Sequence, residues 1–184
     1  MCTLSNTQSL DDYLSSYERN WPLGGTILIA RHGEVVFKKA YGYANLEHLI
    51  PNTIDTKFRI WSLTKSFTAM AIMMLYEQKL LDFEDSASLY LPELNPLKDI
   101  SVAHLLTHTS GLANYTSLPE YNQRLNKLRL SHHDVLQLFI DIPLAFTPGT
   151  SFAYNNSGYF LLGMLIENIT GFTFDNFICD KILG

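Results

Sequence analysis

The sequence has little of the material from which disulfide frameworks, membrane spans or nucleic-acid surfaces are built. Its 184 residues include only two cysteines, Cys2 and Cys179, which form no C-x-x-C pair and are interpreted as incidental. No apolar run approaches the roughly 18 residues that a membrane helix needs. Basic residues do not cluster and the formal net charge is -5, which argues against a nucleic-acid partner. Residues 1–5 lack the positive and apolar regions of a signal peptide, which favours a cytoplasmic location.

Several catalytic signatures are also missing. His104 and His108 have the i, i+4 spacing of a helical zinc pair, but Leu105 occupies the place of the glutamate that this motif needs. The sequence has no glycine-rich phosphate loop and no G-x-S-x-G around any serine. Two further polar groups are interpreted as solvated, one at a helix start and one in a turn: His132-His133, and Asp82, Glu84 and Asp85.

What is present is an ordinary globular composition, with 47% hydrophobic residues, which is enough for one sizeable core. Near the start, leucines and tyrosines at helical spacing predict a helix over residues 8–20. Two β-rich runs, Thr26–Ala30 and Glu34–Lys38, are separated by a short polar turn and predict a hairpin. Residues 40–51 are interpreted as a strand end and a loop, because glycine, asparagine and proline punctuate them.

The rest of the chain is helical in type. Residues 62–80 are apolar on nearly every side, which predicts a buried central helix. Ser101 and Ser131 are placed to cap two short helices, and residues 158–170 predict a longer apolar one. Two early strands cannot form a stable sheet by themselves. We therefore expect either further chain or a second chain to complete the sheet.

The sharpest candidate for chemistry is Ser62-Leu63-Thr64-Lys65, at the start of the predicted central helix. Residues i and i+3 lie on one helix face, about 5–6 Å apart at Cβ, so the lysine amine can reach the serine hydroxyl. Desolvation favours the neutral form of a buried amine, and a neutral amine can accept the hydroxyl proton. The alternative is that Ser62 is a helix cap and Lys65 a solvated side chain, because S-x-x-K is a short pattern.

A second candidate is Tyr154-Asn155-Asn156, which follows a Pro-Gly turn and precedes the apolar helix. A tyrosine and an asparagine two residues apart on a loop can face one pocket. There the tyrosine can shuttle a proton, and the amide can bond both a substrate and Lys65. The alternative is an ordinary turn with a packed aromatic ring.

Four segments, in this order, carry a resemblance to a known family. Residues 58–69 (FRIWSLTKSFTA) resemble the nucleophile segment of the serine β-lactamase and penicillin-binding-protein family. The likeness is greatest to class C β-lactamases and their esterase and D-alanyl-D-alanine carboxypeptidase relatives. Residues 100–112 (ISVAHLLTHTSGL) are similar to the family's LLTHTSGL segment. Residues 146–156 (FTPGTSFAYNN) resemble its PG…F-x-Y-S-N segment, and residues 158–163 the helix that follows.

The resemblance implies a role for each candidate residue. Ser62 matches the serine that is acylated, and Lys65 the lysine that activates it. Tyr154 matches the general base of the second motif, and Asn156 its substrate-binding asparagine. The backbone N–H of Ser62 would supply one oxyanion-hole donor. Asn155 stands where these relatives more often have a small residue, which is interpreted as a mild change.

The implied fold is α+β, of the β-lactamase and transpeptidase type, in which a helical region packs on an antiparallel sheet. The implied function is hydrolysis through a serine acyl-enzyme on a β-lactam, a D-alanyl peptide or an ester, with no metal and no organic cofactor. One variant of it is a broad esterase with no antibiotic role. The alternative from another class is a catalytically inactive relative that serves as a binding or interaction module.

One part of the family pattern is missing. Relatives carry a third motif, K-T-G or H-x-G, on a late strand that supplies the second oxyanion donor, and nothing after Tyr154 fits it. Residues 1–184 are therefore expected to be the N-terminal portion of a single β-lactamase-like domain, with an incomplete sheet. We expect these residues alone to have little or no hydrolytic activity, and their two strands to promote association.

Overall fold

The computed structural model describes residues 7–20, 24–123 and 125–184. They belong to two compact units, Met1–Ile60 and Trp61–Gly184, each of which is described by itself. The first unit carries the strands and the second is helical, so the predicted α+β class is confirmed. In the part of the chain that the structure describes, no helix has both the length and the apolar character to cross a membrane.

The first unit is built on the predicted hairpin. Strands β1 (Gly25–Arg31) and β2 (Glu34–Tyr41) pair antiparallel, with a register shift between Ile29 and Ala30 where β2 has one extra residue, Val36. His32 and Gly33 form the two-residue turn, and both have positive φ. Such a turn matches the right-handed twist of the strands that it joins. The hairpin is therefore confirmed, and β2 runs three residues further than the sequence pattern indicated.

A second, smaller ladder follows β2. Strands β3 (Tyr43–Asn45) and β4 (Ile50–Pro51) pair antiparallel, so the interpretation of this stretch as loop was wrong in part. Asn52 closes the ladder, because its side chain donates to the carbonyl of Tyr41 at 2.8 Å and its backbone N–H to that of Gly42 at 2.8 Å. These strands are too short for alternation of apolar and polar residues to show them in the sequence.

Helix α1 (Thr7–Asn20) packs on β2 and confirms the helix predicted for residues 8–20. Lys39 on β2 binds the carboxylate of Asp11 at 2.5 Å, and the hydroxyl of Tyr41 donates to the same carboxylate at 3.0 Å. The Lys39 ammonium holds the pKa of Asp11 below its ordinary range. The pair is exposed, so it orients the helix more than it stabilises the unit.

The second unit contains six α-helices among its described residues and several single turns. The α-helices are α2 (Thr64–Glu77), α3 (Val102–Leu106), α4 (Pro119–Gln123), α5 (His132–Gln137), α6 (Asn156–Thr170) and α7 (Phe174–Ile178). The shorter turns are 3-10 helices at Trp61–Leu63, Ala87–Leu89, Pro92–Leu97, Tyr115–Ser117 and Leu125–Lys127, and a π-helix at Cys179–Leu183.

The core of this unit forms around α6, which packs against α2, α3 and α7. Six residues of α6 are buried: Ser157, Gly158, Leu161, Leu162, Leu165 and Ile166. Helix α2 buries only Thr68, Ala71, Ile72 and Leu75, whereas Met70 and Met73 on its other side are half exposed. The prediction that this helix is buried on every face is therefore wrong for these residues, because α2 meets the core along one face only.

The predicted helix starts and stops are confirmed in three places. Ser101 accepts a bond from the backbone N–H of His104 and caps α3. Ser131 caps α5 in the same way, with Asp134 completing a reciprocal pair of bonds. Helix α6 ends at Gly171, which has a φ of 71°. Each device satisfies backbone groups that a helix end leaves without partners.

Candidate active site

Ser62 lies in the 3-10 turn that leads into α2, and its side chain is exposed. The N-cap residue of α2 is Leu63, and no side chain caps this helix. The alternative interpretation of Ser62 as a helix cap is therefore wrong. Its hydroxyl instead contacts two side chains that can transfer or stabilise a proton, Lys65 and Tyr154.

Lys65 is half buried in the first turn of α2 and does not extend into solvent. Its Nζ donates to the side-chain oxygen of Asn156 at 2.7 Å and lies 3.3 Å from Ser62 Oγ. The ammonium also lies 4.8 Å from the ring centroid of Tyr154 and 5.4 Å from that of Tyr159. The short bond to Asn156 therefore fixes the amine, and its longer contact with Ser62 is the weaker of the two.

Tyr154 makes the shorter of the two contacts with the serine. Its hydroxyl donates to Ser62 Oγ at 2.8 Å, from an extended segment that precedes α6, and the side chain is 48% exposed. The Lys65 ammonium, followed by the Ser62 hydroxyl, holds the pKa of Tyr154 below its ordinary value, against a smaller opposing effect of burial. A lower pKa favours the phenolate, which is the form that accepts a proton.

Asn156 is the first residue of α6, not part of a loop as the sequence was interpreted. Its side-chain nitrogen donates to Thr116 Oγ1 at 2.8 Å, so that its oxygen points toward Lys65. Its backbone N–H donates to the side-chain oxygen of Asn114 at 3.1 Å, and the Thr116 hydroxyl donates to that same oxygen at 3.0 Å. The positions of Asn114 and Thr116 as supports for Asn156 were not found from the sequence.

Asn155 has a larger structural part than the sequence indicated. It is buried and is the N-cap of α6, where its oxygen accepts from the backbone N–H of Gly158 at 3.1 Å. Its side-chain nitrogen donates to the carbonyl of Leu112 at 2.5 Å. The interpretation of Asn155 as a mild change therefore understated it. The preference of N-caps for asparagine was the signal that could have shown this.

Residue Ser157 adds another link between the same two segments. It is fully buried, accepts from the backbone N–H of Tyr115 at 3.0 Å and donates to the carbonyl of Ala113 at 2.6 Å. Gly111 permits the close approach of Phe146 to the first segment, because a Cβ at Gly111 would lie 2.2 Å from the carbonyl oxygen of Phe146. Residues 108–116 and 145–157 are thus joined by backbone and side-chain bonds along their length.

The two histidines of the rejected zinc pattern have separate positions. His104 takes part in the cap of α3 and lies near Gly149, whereas His108 contacts the rings of Tyr154 and Tyr159. Among the described residues, no group of three or more histidine, cysteine or acidic side chains could hold a metal ion. That His108 borders Tyr154 was not predicted, because 46 positions separate the two residues in the chain (154 − 108).

The polar groups interpreted as solvated are only partly so. His132 lies 3.3 Å from the carboxylate of Glu167. Asp85 accepts from the backbone N–H of Asp82 at 2.8 Å and from the hydroxyl of Tyr90 at 2.5 Å. Burial, followed by this bond, raises the pKa of Tyr90 to about 12.

Of the two cysteines, Cys179 is exposed and not in a disulfide, and Cys2 lies outside the described residues.

Ser62 contacts both Lys65 and Tyr154 in a helical unit, which is the arrangement that the family resemblance implied. Comparison with known proteins shows the same family. Residues 11–184 match the Beta-lactamase family model, so the chain belongs to the Beta-lactamase family. It is 33% identical over 160 residues to penicillin-binding protein 4* of Bacillus subtilis (strain 168). That alignment covers 86% of this chain and 35% of the relative, so the chain spans about a third of the length of that curated relative.

Two solved structures share the fold. The penicillin-binding protein from Bacillus halodurans superposes with a TM-score of 0.81 at 34% identity, over 92% of this chain and 53% of that one. EstCE1, described as a hydrolase with promiscuous acyltransferase activity, gives a TM-score of 0.81 at 29% identity, over 95% and 51%. The β-lactamase and transpeptidase type of fold, expected from the resemblance, is confirmed by these structures.

Proposed function

We propose that the protein is a serine hydrolase that works through an ester of Ser62, with Tyr154 as the general base and Lys65 as the cation that activates it. The observation that carries this proposal is the position of Ser62 Oγ, 2.8 Å from the Tyr154 oxygen and 3.3 Å from Lys65 Nζ. Family membership supports the proposal, because the relatives compared include penicillin-binding proteins and a hydrolase.

The geometry favours the tyrosine over the lysine as the proton acceptor. The Tyr154 oxygen is the nearer group to Ser62, and its pKa is lowered by the Lys65 ammonium. Lys65 is held by Asn156 at 2.7 Å, which is the distance of a charge-assisted bond. In this arrangement the Lys65 ammonium stabilises the phenolate, and Asn156 keeps the ammonium in place.

The acylation step then proceeds in a defined order. The Tyr154 phenolate takes the proton of Ser62, and Oγ bonds to the carbonyl carbon of an amide or ester. The carbonyl oxygen becomes an oxyanion, for which the backbone N–H of Ser62 at the helix start is the expected donor. When the intermediate collapses, the bond to the leaving nitrogen or oxygen breaks and Tyr154 returns the proton to it. Water repeats the sequence and releases the acyl group from Ser62.

We propose that the substrate carries an acyl group in a β-lactam, a D-alanyl peptide or a simple ester. These three share an electrophilic carbonyl next to a leaving nitrogen or oxygen, and the described residues act on that common centre. Penicillin-binding proteins and EstCE1 among the compared proteins support this range by their names. No metal and no organic cofactor takes part in the proposed steps.

The proposal is tested by labelling the protein at its full natural length with a fluorescent penicillin and with a p-nitrophenyl ester. We expect covalent label on Ser62 in a peptide map, and none in Ser62→Ala. Ser66→Ala is the matched control, because Ser66 is exposed one turn along α2 and should label like the wild type. Equal labelling of Ser62→Ala, or a label on another residue, would show that this site is not the nucleophile.

The same experiment separates the substrates. A stable penicilloyl adduct with slow release indicates a penicillin-binding activity, and rapid release with loss of the β-lactam ring indicates a β-lactamase. Turnover of the ester without reaction with penicillin indicates an esterase. Absence of any reaction with both probes would favour a catalytically inactive relative.

A further inference from the structure

His108 lies beside the proposed general base, on a part of the chain that none of the proposed steps uses. Its ring centroid is 4.6 Å from that of Tyr154, 5.0 Å from Tyr159 and 5.9 Å from Phe152. Its backbone is in the left-handed region, with a φ of 60°, which is uncommon for a residue other than glycine. Such a conformation persists only where surrounding contacts fix it, and it is often found at functional sites.

Two hydrogen bonds connect His108 to the residues on either side of Tyr154. The backbone N–H of Ala153 donates to the carbonyl of His108 at 2.9 Å. The backbone N–H of Asn155 donates to His108 Nδ1 at 3.1 Å. One residue therefore holds the main chain before and after Tyr154, while its ring lies against the tyrosine ring.

The second of these bonds depends on the protonation state of the imidazole. Nδ1 can accept the Asn155 N–H only while it carries no proton, so the bond requires a neutral ring with its proton on Nε2. Among the described residues, the charged or titratable groups around the ring are Lys65 on α2, Tyr154 on the extended segment and Tyr159 on α6. The only one that is a cation is Lys65, and it opposes a second positive charge nearby.

We propose that His108 is a positioning residue for the acylation described above, and that its neutral imidazole, through Nδ1, keeps the Tyr154 oxygen in contact with Ser62. Protonation of the ring replaces the acceptor with a donor that faces the Asn155 N–H. The segment then loses one of its two attachments, and the Tyr154 oxygen moves from its 2.8 Å contact. This inference rests on the proposed function, because it assigns the positioning of the same general base.

The electrostatics of the site favour the neutral imidazole that the bond from Asn155 to Nδ1 requires. Burial first, and the Lys65 charge second, lower the pKa of His108. The accepting form therefore predominates at neutral pH and persists somewhat below the ordinary histidine value of about 6.5. As the pH falls through the lowered pKa, the accepting form is lost.

Two substitutions test separately the hydrogen-bond acceptor of His108 and its aromatic ring. In His108→Asn the amide oxygen replaces Nδ1 at a similar distance from the main chain, does not titrate, and tolerates the left-handed backbone. In His108→Phe an aromatic ring remains beside Tyr154, but the acceptor is lost. His133→Asn is the matched control, because His133 is an exposed histidine on α5. All three are measured in the protein at its full natural length, with thermal unfolding to check that they fold.

The readout is the rate of Ser62 labelling by a fluorescent penicillin between about pH 5 and pH 9. We expect His108→Phe to slow labelling about 10- to 100-fold at neutral pH, because a small misplacement of a reacting group has an effect of about that size. His108→Asn should stay within about threefold of the wild type. Below about pH 6.5 the wild-type rate should fall more steeply than the rate of His108→Asn, because only the wild type has the titrating histidine. His133→Asn should keep the steeper fall of the wild type.

The outcomes distinguish the two proposals. Labelling of Ser62 that is equally fast in His108→Phe, with the same pH profile, would overturn the role of His108 and leave the proposed function intact. Equal labelling of Ser62→Ala would overturn the proposed function instead. A merely structural role would slow His108→Asn and His108→Phe alike, without removing the extra fall at low pH, and would also overturn the inference.

A second measurement needs no activity. Nitrogen-15 spectra of histidine-labelled protein should show His108 as the neutral Nε2–H form at pH 7, with a pKa below the ordinary histidine value of about 6.5. The Tyr154 ring signals should change over the same pH range in the wild type and not in His108→Asn. A proton on Nδ1 at pH 7 would contradict the inference, whatever the labelling rates.

Discussion

Helices α2 and α6 both begin at the candidate active site, and their first turns differ. The start of α2 has no side-chain cap, and its neighbours Trp61, Ser62 and Leu63 are exposed. The start of α6 is capped by the buried Asn155 and is bonded through its first residues to the segment 108–116. Helix α2 therefore presents the proposed nucleophile at an open start, and the start of α6 holds in place Asn156, which binds Lys65.

The difference shows that one site contains both an exposed serine and side chains held by hydrogen bonds. A nucleophile needs an accessible oxygen, and residues at a less stabilised helix end meet that need. The proposed base and cation need fixed positions, which the bond of Lys65 to Asn156 and the bonds of the start of α6 to residues 108–116 supply. We therefore expect substitutions at the start of α2 to change the reaction more than the stability, and those at the start of α6 to do the reverse.

The largest effect should follow from Lys65→Met, which removes the cation and keeps a side chain of similar length. We expect labelling of Ser62 to slow about 10²- to 10⁴-fold, the usual contribution of acid–base groups. The free energy of unfolding should change by no more than about 1 kcal/mol, because the side chain is only half buried. Lys98→Met, at an exposed lysine, is the control for loss of charge. Near wild-type labelling in Lys65→Met would contradict its role.

The next largest effect should be on stability, in Asn155→Ala. This change removes the cap of α6 and leaves the buried carbonyl of Leu112 without the donor it now has. We expect a loss of about 2–3 kcal/mol in the free energy of unfolding, measured with urea. Asn155→Ser, which keeps a capping oxygen, should lose about half as much.

Asn176→Ala serves as the control for Asn155, since Asn176 is an exposed asparagine on α7 and should change the free energy of unfolding by less than about 0.5 kcal/mol. If Asn155→Ala and Asn176→Ala unfold at the same urea concentration, the first turn of α6 is not the stabilised end that the comparison describes.

A smaller effect concerns the pH dependence of labelling. As the proposed base, Tyr154 would act only when ionised, so the rate should rise with pH toward its pKa, which Lys65 and Ser62 hold below the ordinary value of tyrosine. Loss of the Lys65 ammonium raises that pKa. In Lys65→Met the rising limb should therefore move to higher pH, and part of the lost rate should return in alkaline solution. A limb that stays in place would mean that Lys65 does not act on Tyr154.

The smallest effect should come from two exposed apolar residues on either side of Ser62. Trp61 has a φ of 49°, whereas Leu63 has a φ of -61°. The left-handed conformation costs a non-glycine residue about 1–2 kcal/mol, and glycine adds about 0.5–1 kcal/mol of unfolded-state entropy. Trp61→Gly should therefore be neutral or stabilising by up to about 1 kcal/mol, and Leu63→Gly destabilising by about 1 kcal/mol. Thermal unfolding of both variants checks this, and the reverse order would rule out backbone strain at Trp61.

The sequence predicted those parts of the fold that repeat a local pattern. The hairpin, α1, α6 and the caps at Ser101 and Ser131 follow from periodicity, turn residues and side-chain oxygens within a few positions of the backbone groups they bind. The ladder of β3 and β4 was not predicted, since two- and three-residue strands are too short for a pattern. The exposure of Met70 and Met73 was not predicted either, because an apolar residue alone does not say which helix face meets the core.

For the candidate site, the sequence by itself determined which residue types stand at which spacing. Ser62 and Lys65 meet because they are three positions apart on one helical turn, and four ordered segments resembled one family. Only the tertiary structure decided how distant residues meet. The contact of Tyr154 with Ser62, the orientation of Asn156 by Thr116 and the bond of Asn155 to His108 each join positions 40 or more apart in the chain. Hydrogen bonds of that kind depend on where buried helices pack, which no local pattern of residues encodes.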